Sequence, residues 1–235
     1  MAAVRAEMVT FPSNGGTAPG YLARPDGNGP WPGVIVIQEW WGLEEHIKDV
    51  ARRFAAEGFV ALAPDLYHGA VATEPDEARK LAMAMQLDAA MRDIQGAINY
   101  LKSLPEVSPK KIGVIGFCMG GRLAVHTAIR SADVGAVAPF YPGGVDGAFG
   151  ELDKIQAPIF AAFGDQDQGI PLDVVERFRQ LLQQHGKQAE VKVYPGAPHA
   201  FFNDTRPSYR PEAAADAWQK VLALFRSALR EPAAV

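Results

Sequence analysis

The stretch Lys111-Ile-Gly-Val-Ile-Gly-Phe-Cys-Met-Gly-Gly121 decides the fold. It reads as an apolar strand that runs into a glycine-flanked residue and then directly into a helix. In a Gly-x-nucleophile-x-Gly turn, glycines are needed where strand and helix cross too closely for side chains, and the central residue is held in a strained backbone conformation. Cys118 occupies that central position. The stretch therefore predicts a nucleophile elbow that projects a thiol from the top of a sheet.

The alternative for this cysteine, the only one in the chain, is a small buried core residue, and Phe117 and Met119 flank it. A core cysteine needs no glycine two residues before it, nor glycines two and three residues after it. Gly116, Gly120 and Gly121 therefore favour a catalytic thiol. The backbone N–H groups that open the following helix, that of Met119 first, point where an oxyanion would form.

Composition narrows the class of protein. With 235 residues and 48% hydrophobic content, the chain is expected to form a single domain, 1–235, with a substantial core. Its 23 Lys and Arg against 27 Asp and Glu, without a basic run, disfavour nucleic acid as a partner. No segment has the apolar length of a signal peptide core or a membrane helix, so we expect a soluble, cytoplasmic protein, monomeric by default with a homodimer as the alternative.

Strand-like and helix-like segments alternate along the chain, which is typical of a mostly parallel sheet with helices on both faces. Gly33–Ile37 is continuously apolar and β-branched, as expected for a strand buried on both faces. A long helical stretch over 74–104, in one or two pieces, precedes the elbow strand, and 212–229 forms an amphipathic terminal helix. The N-terminal region shows only a short extended segment around 21–23. We expect an α/β-hydrolase fold.

A base must accompany the thiol, because a thiol is mostly protonated at neutral pH and attacks an acyl carbon poorly in that form. His199 lies in the loop that follows the last predicted strand, where the α/β-hydrolase architecture delivers its base. The other histidines are weaker candidates for this role, and none has metal-ligand spacing: His46, His68, His126 and His185. The sequence therefore predicts no metal site.

Two carboxylates compete to orient the imidazole, since both follow the next-to-last strand and lie between nucleophile and histidine in the chain. Pro171 begins a helix at its first turn and leaves Asp167 on the loop before it, which favours Asp167. Asp165 is expected to fix that loop through hydrogen bonds from its side chain to backbone groups. From these residues alone, both assignments stay open.

The loop Gln38-Glu-Trp-Trp-Gly42 is a third polar feature, directly after a buried strand. In this fold that loop supplies a second oxyanion donor, so the N–H of Trp40 would join that of Met119. Glu39 is a candidate acceptor for the thiol proton, the alternative being a solvated loop carboxylate. Aromatic residues near the strand ends are candidate pocket walls, although they are equally often core: Trp40, Trp41, Tyr67, Phe201 and Phe202.

Five segments in this order resemble the dienelactone hydrolase family over nearly the whole chain: Gln38–Gly42, Pro64–Tyr67, Gly116–Gly121, Gln166–Asp167 and Pro198–His199. The resemblance implies a single-domain α/β hydrolase with a Cys-His-Asp triad that opens a dienelactone in the bacterial breakdown of chlorinated aromatics. The resemblance also implies that no metal or organic cofactor takes part.

Residue by residue, the resemblance places the triad on Cys118, His199 and Asp167. It gives Glu39 the place of a glutamate that takes the thiol proton once substrate is seated. The family's best-known member holds a substrate carboxylate with arginines, and one of these positions is Asn203 in this chain. Arg79 lies only near the second position. Candidate replacements are Arg79, Arg122 and Arg206, although a guanidinium clamp depends on geometry that spacing does not fix.

The sequence thus predicts a hydrolase that cleaves a small lactone or ester through a thioester on Cys118. The alternatives are a broader carboxylesterase, a cysteine peptidase or acyltransferase on the same scaffold, and a non-catalytic binding module that keeps the fold. A binding module is the weakest of these, because nucleophile, base, acid and elbow glycines are all present.

Overall fold

The structure, a computed structural model, describes residues 3–230. Eight strands form a mostly parallel sheet and helices accompany it, which confirms the α/β class. The strands are β1 (Val4–Ser13), β2 (Gly16–Pro25), β3 (Gly33–Ile37), β4 (Val60–Pro64), β5 (Ile112–Phe117), β6 (Val134–Phe140), β7 (Ile159–Gly164) and β8 (Ala189–Tyr194). The α-helices are α1 (Glu45–Ala56), α2 (Pro75–Ala84), α3 (Leu87–Ser103), α4 (Met119–Arg130), α5 (Leu172–Gln184) and α6 (Pro211–Ala228). Among the described residues, no helix has the length and apolarity to cross a bilayer.

The residue contacts fall into two compact units. The first comprises Met1–Val114 with Leu229–Val235, and the second comprises Ile115–Ala228. The single-domain organisation expected from the sequence stays a prediction.

In the first unit, β1 and β2 form an antiparallel hairpin, β2 pairs antiparallel with β4, and β3 runs parallel to β4. The sequence predicted only a short extended segment in place of this hairpin of two ten-residue strands. Most of β1 is exposed, so it lacks the apolar run that marks a buried strand. The available signal was the turn Asn14-Gly15, where both residues have positive φ, as tight hairpin turns require.

The core of the first unit lies on β3, whose five residues are all buried, and on one side of α1. Ile47, Val50 and Phe54 recur at helical spacing and are fully buried. The long helical stretch is divided into α2 and α3, because Met85 and Gln86 have extended backbone conformations. Helix α2 buries only Ala78.

In the second unit, β6, β7 and β8 run parallel, with Val137 opposite Ile159 and Ala161 opposite Val191. Helix α5 connects β7 to β8, and α6 buries Trp218 and its apolar neighbours as its amphipathic pattern predicts. A 3-10 helix over Val145–Lys154 follows β6 and was not predicted, because short 3-10 helices leave no strong hydrophobic period.

The turn from β5 into α4 shows why its glycines are required. A Cβ atom on Gly116 would lie 1.9 Å from the carbonyl oxygen of Gly120, and one on Gly121 would lie 2.4 Å from that of Phe140. Both contacts are with backbone atoms that cannot rotate away. Cys118 between them has φ 59° and ψ −119°, a conformation that residues with a side chain rarely adopt. The strained elbow expected from the sequence is therefore confirmed.

Candidate active site

Cys118 is held in its strained conformation by hydrogen bonds on both sides of its Cα atom. Its N–H donates to the carbonyl of Phe140 at 3.0 Å, and its own carbonyl accepts from the N–H groups of Gly121 and Arg122 at 2.9 and 3.2 Å. The residue is half-buried rather than sealed in the core. The thiol is thus fixed by its backbone and remains accessible, which disfavours the core-cysteine alternative.

His199 interacts with Asp167 and Cys118. Its Nδ1 lies 2.6 Å from Oδ2 of Asp167, and the side chain of Cys118 lies close enough to the imidazole to raise its pKa. The other carboxylate oxygen, Oδ1 of Asp167, accepts from the N–H of Gly169 at 2.9 Å. Because both carboxylate oxygens are engaged, the ring is held in one orientation between the thiol and the acid. Of the two competing carboxylates, Asp167 is the one in contact with the imidazole.

Asp165 has the loop-fixing position expected for it. Its Oδ1 accepts from the N–H of Gly196 at 2.8 Å and from Nε2 of Gln166 at 3.2 Å. The N–H of Gln166 donates to the carbonyl of Ala197 at 3.0 Å, and a Cβ on Gly164 would lie 2.0 Å from that same oxygen. The loop that carries Asp167 is therefore fastened directly to the loop that carries His199.

Tyr141 is a site neighbour that sequence reasoning missed. It is fully buried, and its ring centroid lies 5.0 Å from that of His199. Its N–H donates to the carbonyl of Ala162 at 2.7 Å. Tyr141 has φ 33° and Ala200, next to the histidine, has φ 63°, so the backbone is strained at three site positions including Cys118. The signal that was available is the position of Tyr141 directly after a buried strand.

The hydrogen bonds of His199 determine its charge. Burial on its own would lower the pKa of the imidazole, since it penalises the charged form. The hydrogen bonds with Asp167 and Cys118 and the charges of these two groups outweigh burial and raise the pKa of His199 to about 10. The imidazole therefore carries a proton at neutral pH.

A cavity of about 570 Å³ opens beside the thiol, within the size range of small-molecule sites. All of its lining residues belong to the second unit and come from loops that follow strands: Cys118, Gly143, Gln166, Asp167, Gln168, Gly169, Ile170, Pro198 and His199. Cys118, Asp167 and His199 thus line a cavity large enough for a small substrate.

Two of the predicted pocket walls lie in the core of the second unit. Phe201 and Phe202 are 0% and 1% exposed. The ring of Phe202 stacks on Phe117 with centroids 5.2 Å apart, and the ring of Phe201 lies edge-on to Tyr141 at 5.3 Å. Both aromatics therefore support the strand and the tyrosine that flank the thiol, and their contact with substrate stays a prediction.

Asn203 is also fully buried. Its Oδ1 accepts from the N–H and the hydroxyl of Thr205, at 2.9 and 2.6 Å, so the amide oxygen stabilises its own loop. Arg206 lies on the same loop and donates its N–H to the carbonyl of Asn203 at 3.3 Å. Arg122 packs beside Gly144 on the loop after β6. A carboxylate-binding role for either arginine stays a prediction.

In the first unit, the side chain of Gln38 fixes the loop that carries Glu39 through hydrogen bonds. Gln38 donates from Nε2 to the carbonyl of Glu39 at 3.3 Å, and its Oε1 accepts from the N–H of Leu66 at 2.9 Å. The rings of Trp40 and Trp41 meet edge to face at 5.5 Å. Glu39 is only 2% exposed, so the alternative of a solvated loop carboxylate is wrong.

Two further predicted pocket residues lie in the first unit. Tyr67 donates its N–H to Oδ1 of Asp65 at 3.1 Å in the loop after β4. Arg79 on α2 is mostly exposed and forms an ion pair with Asp76 at 3.3 Å. Residues 3–230 contain no cluster of three or more His, Cys, Asp or Glu side chains that could hold a metal ion.

Substituting Cys118→Ala is expected to lower the pKa of His199, because it removes one hydrogen bond and one charge that favour the imidazolium. Because folding raises this pKa, the protonated His199 stabilises the folded protein. This stabilisation is complete below the ordinary pKa of 6.5 and is lost as pH rises through about 10. NMR titration of the His199 ring measures the shift. An unchanged pKa in both Cys118→Ala and Asp167→Asn would contradict the assigned cause.

Comparisons with known proteins identify the family of this chain. A profile of the dienelactone hydrolase family matches residues 18–229. "Protein usf" of Aquifex pyrophilus is 40% identical over 95% of this chain and 99% of that protein, and a Synechocystis protein named "Putative carboxymethylenebutenolidase" is 38% identical over 97% and 98%. A Klebsiella pneumoniae structure described as "Putative Dienelactone Hydrolase" superposes with a TM-score of 0.88 at 33% identity, covering 95% of this chain and 99% of that one. The chain belongs to the dienelactone hydrolase family.

Proposed function

We propose that this protein hydrolyses small lactones or carboxylic esters with Cys118 as the nucleophile. The observation that carries the proposal is that Asp167 and its hydrogen-bonded partner His199 line one cavity together with Cys118 on the strained elbow. An orienting acid, a base and a nucleophile in contact form the arrangement that acyl transfer requires. No metal or organic cofactor is part of the proposed reaction.

In the proposed reaction, the thiolate of Cys118 attacks the substrate carbonyl and the oxyanion is held by the N–H of Met119, at the start of α4. The N–H of Trp40 is the proposed second donor. The tetrahedral intermediate collapses to a thioester and expels an alkoxide or enolate, which takes the proton of His199. The imidazole, oriented by Asp167, then removes a proton from water as the water attacks the thioester. The second tetrahedral intermediate breaks its C–S bond, which releases the carboxylic acid and regenerates the thiolate of Cys118.

This scheme favours esters and lactones over amides. A thiolate is a better leaving group than an amine, so a tetrahedral intermediate formed on an amide returns to substrate. An enolate leaving group, as in a dienelactone, departs without strong protonation. A peptidase is therefore the weaker alternative, and an acyltransferase differs only in the acceptor that attacks the thioester.

Two groups are proposed as acceptors of the thiol proton. Family resemblance assigns this step to Glu39. Its carboxylate is buried rather than exposed to solvent, which supports a functional role. His199 is the other acceptor, since its raised pKa favours the protonated ring. If Glu39 acts, the thiol ionises when substrate arrives; if His199 suffices, the thiolate is present beforehand.

Replacing Cys118 by alanine should reduce kcat/KM for para-nitrophenyl acetate by at least about a thousandfold, because no nucleophile remains to form the acyl-enzyme. Circular dichroism should stay unchanged, as the substitution removes one sulfur atom from a half-buried position. Retained turnover in the folded variant would end the proposal.

The two aspartates provide a matched pair. Asp167→Asn should lower kcat by about a hundredfold or more, because the amide no longer holds the required tautomer of His199. Asp165→Asn keeps a carbonyl oxygen for the N–H of Gly196 and should lose far less activity. Steady-state kinetics on both variants measures the two losses of kcat. An equal loss in the two variants would argue against Asp167 as the acid that orients His199.

Glu39→Gln separates the two proton acceptors. If Glu39 takes the thiol proton, the variant should keep its basal reaction with iodoacetamide but lose any increase in thiol reactivity on adding a substrate analogue. Its kcat should fall while binding persists. Turnover equal to that of the unmodified protein would assign the proton to His199 instead.

A further inference from the structure

Asp93 is a buried carboxylate that takes no direct part in the proposed reaction. It lies on α3 among the residues that this helix buries, next to Ile94, and its side chain is only 5% exposed. Burial of a carboxylate costs free energy unless hydrogen bonds or an opposite charge replace the lost hydration. The groups that contact Asp93 therefore indicate what it does.

Asp93 is contacted from two segments that are far apart in the sequence. Ser13 and Asn14, at the turn between β1 and β2, donate from Oγ and Nδ2 to its Oδ1, and the second of these distances is 2.9 Å. In the loop after β4, Nε2 of His68 lies 2.7 Å from its Oδ2. Because a carboxylate only accepts hydrogen bonds, this nitrogen is the donor. Asp93 thus connects the hairpin turn and the loop after β4 to one point on α3.

The loop after β4 is shaped by Asp65 and anchored by His68. Oδ1 and Oδ2 of Asp65 accept from the N–H groups of Tyr67 and Gly69 at 3.1 and 2.8 Å, which closes a tight turn around His68. His68 has φ 50°, a conformation that is uncommon for residues with a side chain. Its side chain is 48% exposed, yet its ring reaches the buried Asp93. This hydrogen bond therefore fixes the middle of the loop to α3.

The loop after β4 also holds the 38–42 loop, which follows β3. Near the start of the loop after β4, the N–H of Leu66 donates to Oε1 of Gln38 at 2.9 Å. At its end, the N–H of Ala72 donates to the carbonyl of Trp41 at 2.9 Å. The anchored histidine lies between these two contacts along the chain. The 38–42 loop is thus attached to the loop after β4 near both of its ends.

The two loops also approach each other closely at Gly42. A Cβ atom on Gly42 would lie 2.7 Å from the carbonyl oxygen of Ala70 and 3.3 Å from the ring of Tyr67. Gly42 has φ 102°, a backbone conformation that glycine adopts readily and other residues do not. Because the loops pack with no side chain of Gly42 between them, a displacement of one loop is transmitted to the other.

We infer, on the basis of the function proposed above, that His68 and Asp93 are positioning residues for the reaction. Their hydrogen bond fixes the loop after β4, and that loop in turn fixes the 38–42 loop. The 38–42 loop carries Glu39, a proposed acceptor of the thiol proton, and Trp40, whose N–H is a proposed oxyanion donor. Groups in these roles lose effectiveness when they are displaced by about 1 Å. Neither His68 nor Asp93 contacts substrate in this scheme.

Two substitutions of His68 isolate its hydrogen bond. Glutamine keeps an N–H donor near the position of Nε2 and alanine does not, while both keep a Cβ atom at the same φ. For para-nitrophenyl acetate, His68→Ala should lower kcat and kcat/KM equally, by about tenfold, because the displaced groups act in the transition state rather than in substrate binding. His68→Gln should restore most of this loss. Full activity in His68→Ala, a change in KM alone, or equal losses in both variants would overturn the inference.

Hydrogen–deuterium exchange measures whether the effect passes through the 38–42 loop. A peptide that contains this loop should exchange faster in His68→Ala than in the unmodified protein, because its support is looser. In His68→Gln, the exchange should return toward that of the unmodified protein. Exchange of this peptide that is unchanged in His68→Ala would overturn the inference.

Arg24→Ala is the matched control for a loss of stability. It removes a bond of the same kind in the same unit, from Nη1 of Arg24 to Oε1 of Glu106 at 2.6 Å. Arg24 follows Ala23, which pairs with Ala61 near the start of β4, so it lies at the opposite end of that strand from the loop after β4. Thermal unfolding should show a lowered Tm for both alanine variants, whereas kcat should fall only in His68→Ala. Equal losses of kcat in the two would assign the effect to stability and overturn the inference.

Cys118→Ala distinguishes failure of this inference from failure of the proposed function. Retained hydrolysis of para-nitrophenyl acetate by Cys118→Ala would refute the proposed function, and the inference with it. An inactive Cys118→Ala together with a fully active His68→Ala would refute the inference alone.

Discussion

The crossing of β5 and α4 is the constraint on which the rest of the site depends. The chain can pass from strand to helix at this distance only because Gly116 and Gly121 have no Cβ atom to meet the backbone opposite. The crossing strains the backbone of Cys118, whose φ is 59°. Hydrogen bonds made by its N–H and by its carbonyl hold this conformation. The strain fixes the direction of the thiol, so the base and acid need only be brought to one known place.

The loops that carry Asp167 and His199 are also held by a close backbone approach at a glycine and by hydrogen bonds. Gly164 allows the loops after β7 and β8 to approach within van der Waals distance, and Asp165 fastens them through the N–H of Gly196. Asp167 and His199 therefore meet as parts of one fastened pair of loops. Orientation is already set before substrate arrives, which is the condition under which hydrogen bonds and charges lower a reaction barrier most effectively. Asp165 thus fixes the geometry of the two loops, and Asp167 stabilises the charged imidazole.

Several features were predictable because they are encoded locally. The elbow follows from glycines at fixed spacing around one cysteine, and β3 and α1 follow from their hydrophobic patterns. The hairpin of β1 and β2 was underestimated because β1 is stabilised by pairing rather than by a buried face. Phe201 and Phe202 lie near a strand end, and no sequence pattern distinguishes an aromatic that lines a pocket from one that fills a core.

The sequence by itself determined the class of fold, the nucleophile candidate, the position of the histidine and the order of the polar loops, because each depends on residues that are close in the chain. Only the tertiary structure decided that Asp167 rather than Asp165 contacts His199, that Tyr141 packs against the ring, and that Glu39 is buried. These facts depend on how loops from separate strands approach one another, and on the burial and charges that each group meets there. Hydrogen bonding, exposure and pKa are properties of those surroundings, so no local pattern carries them.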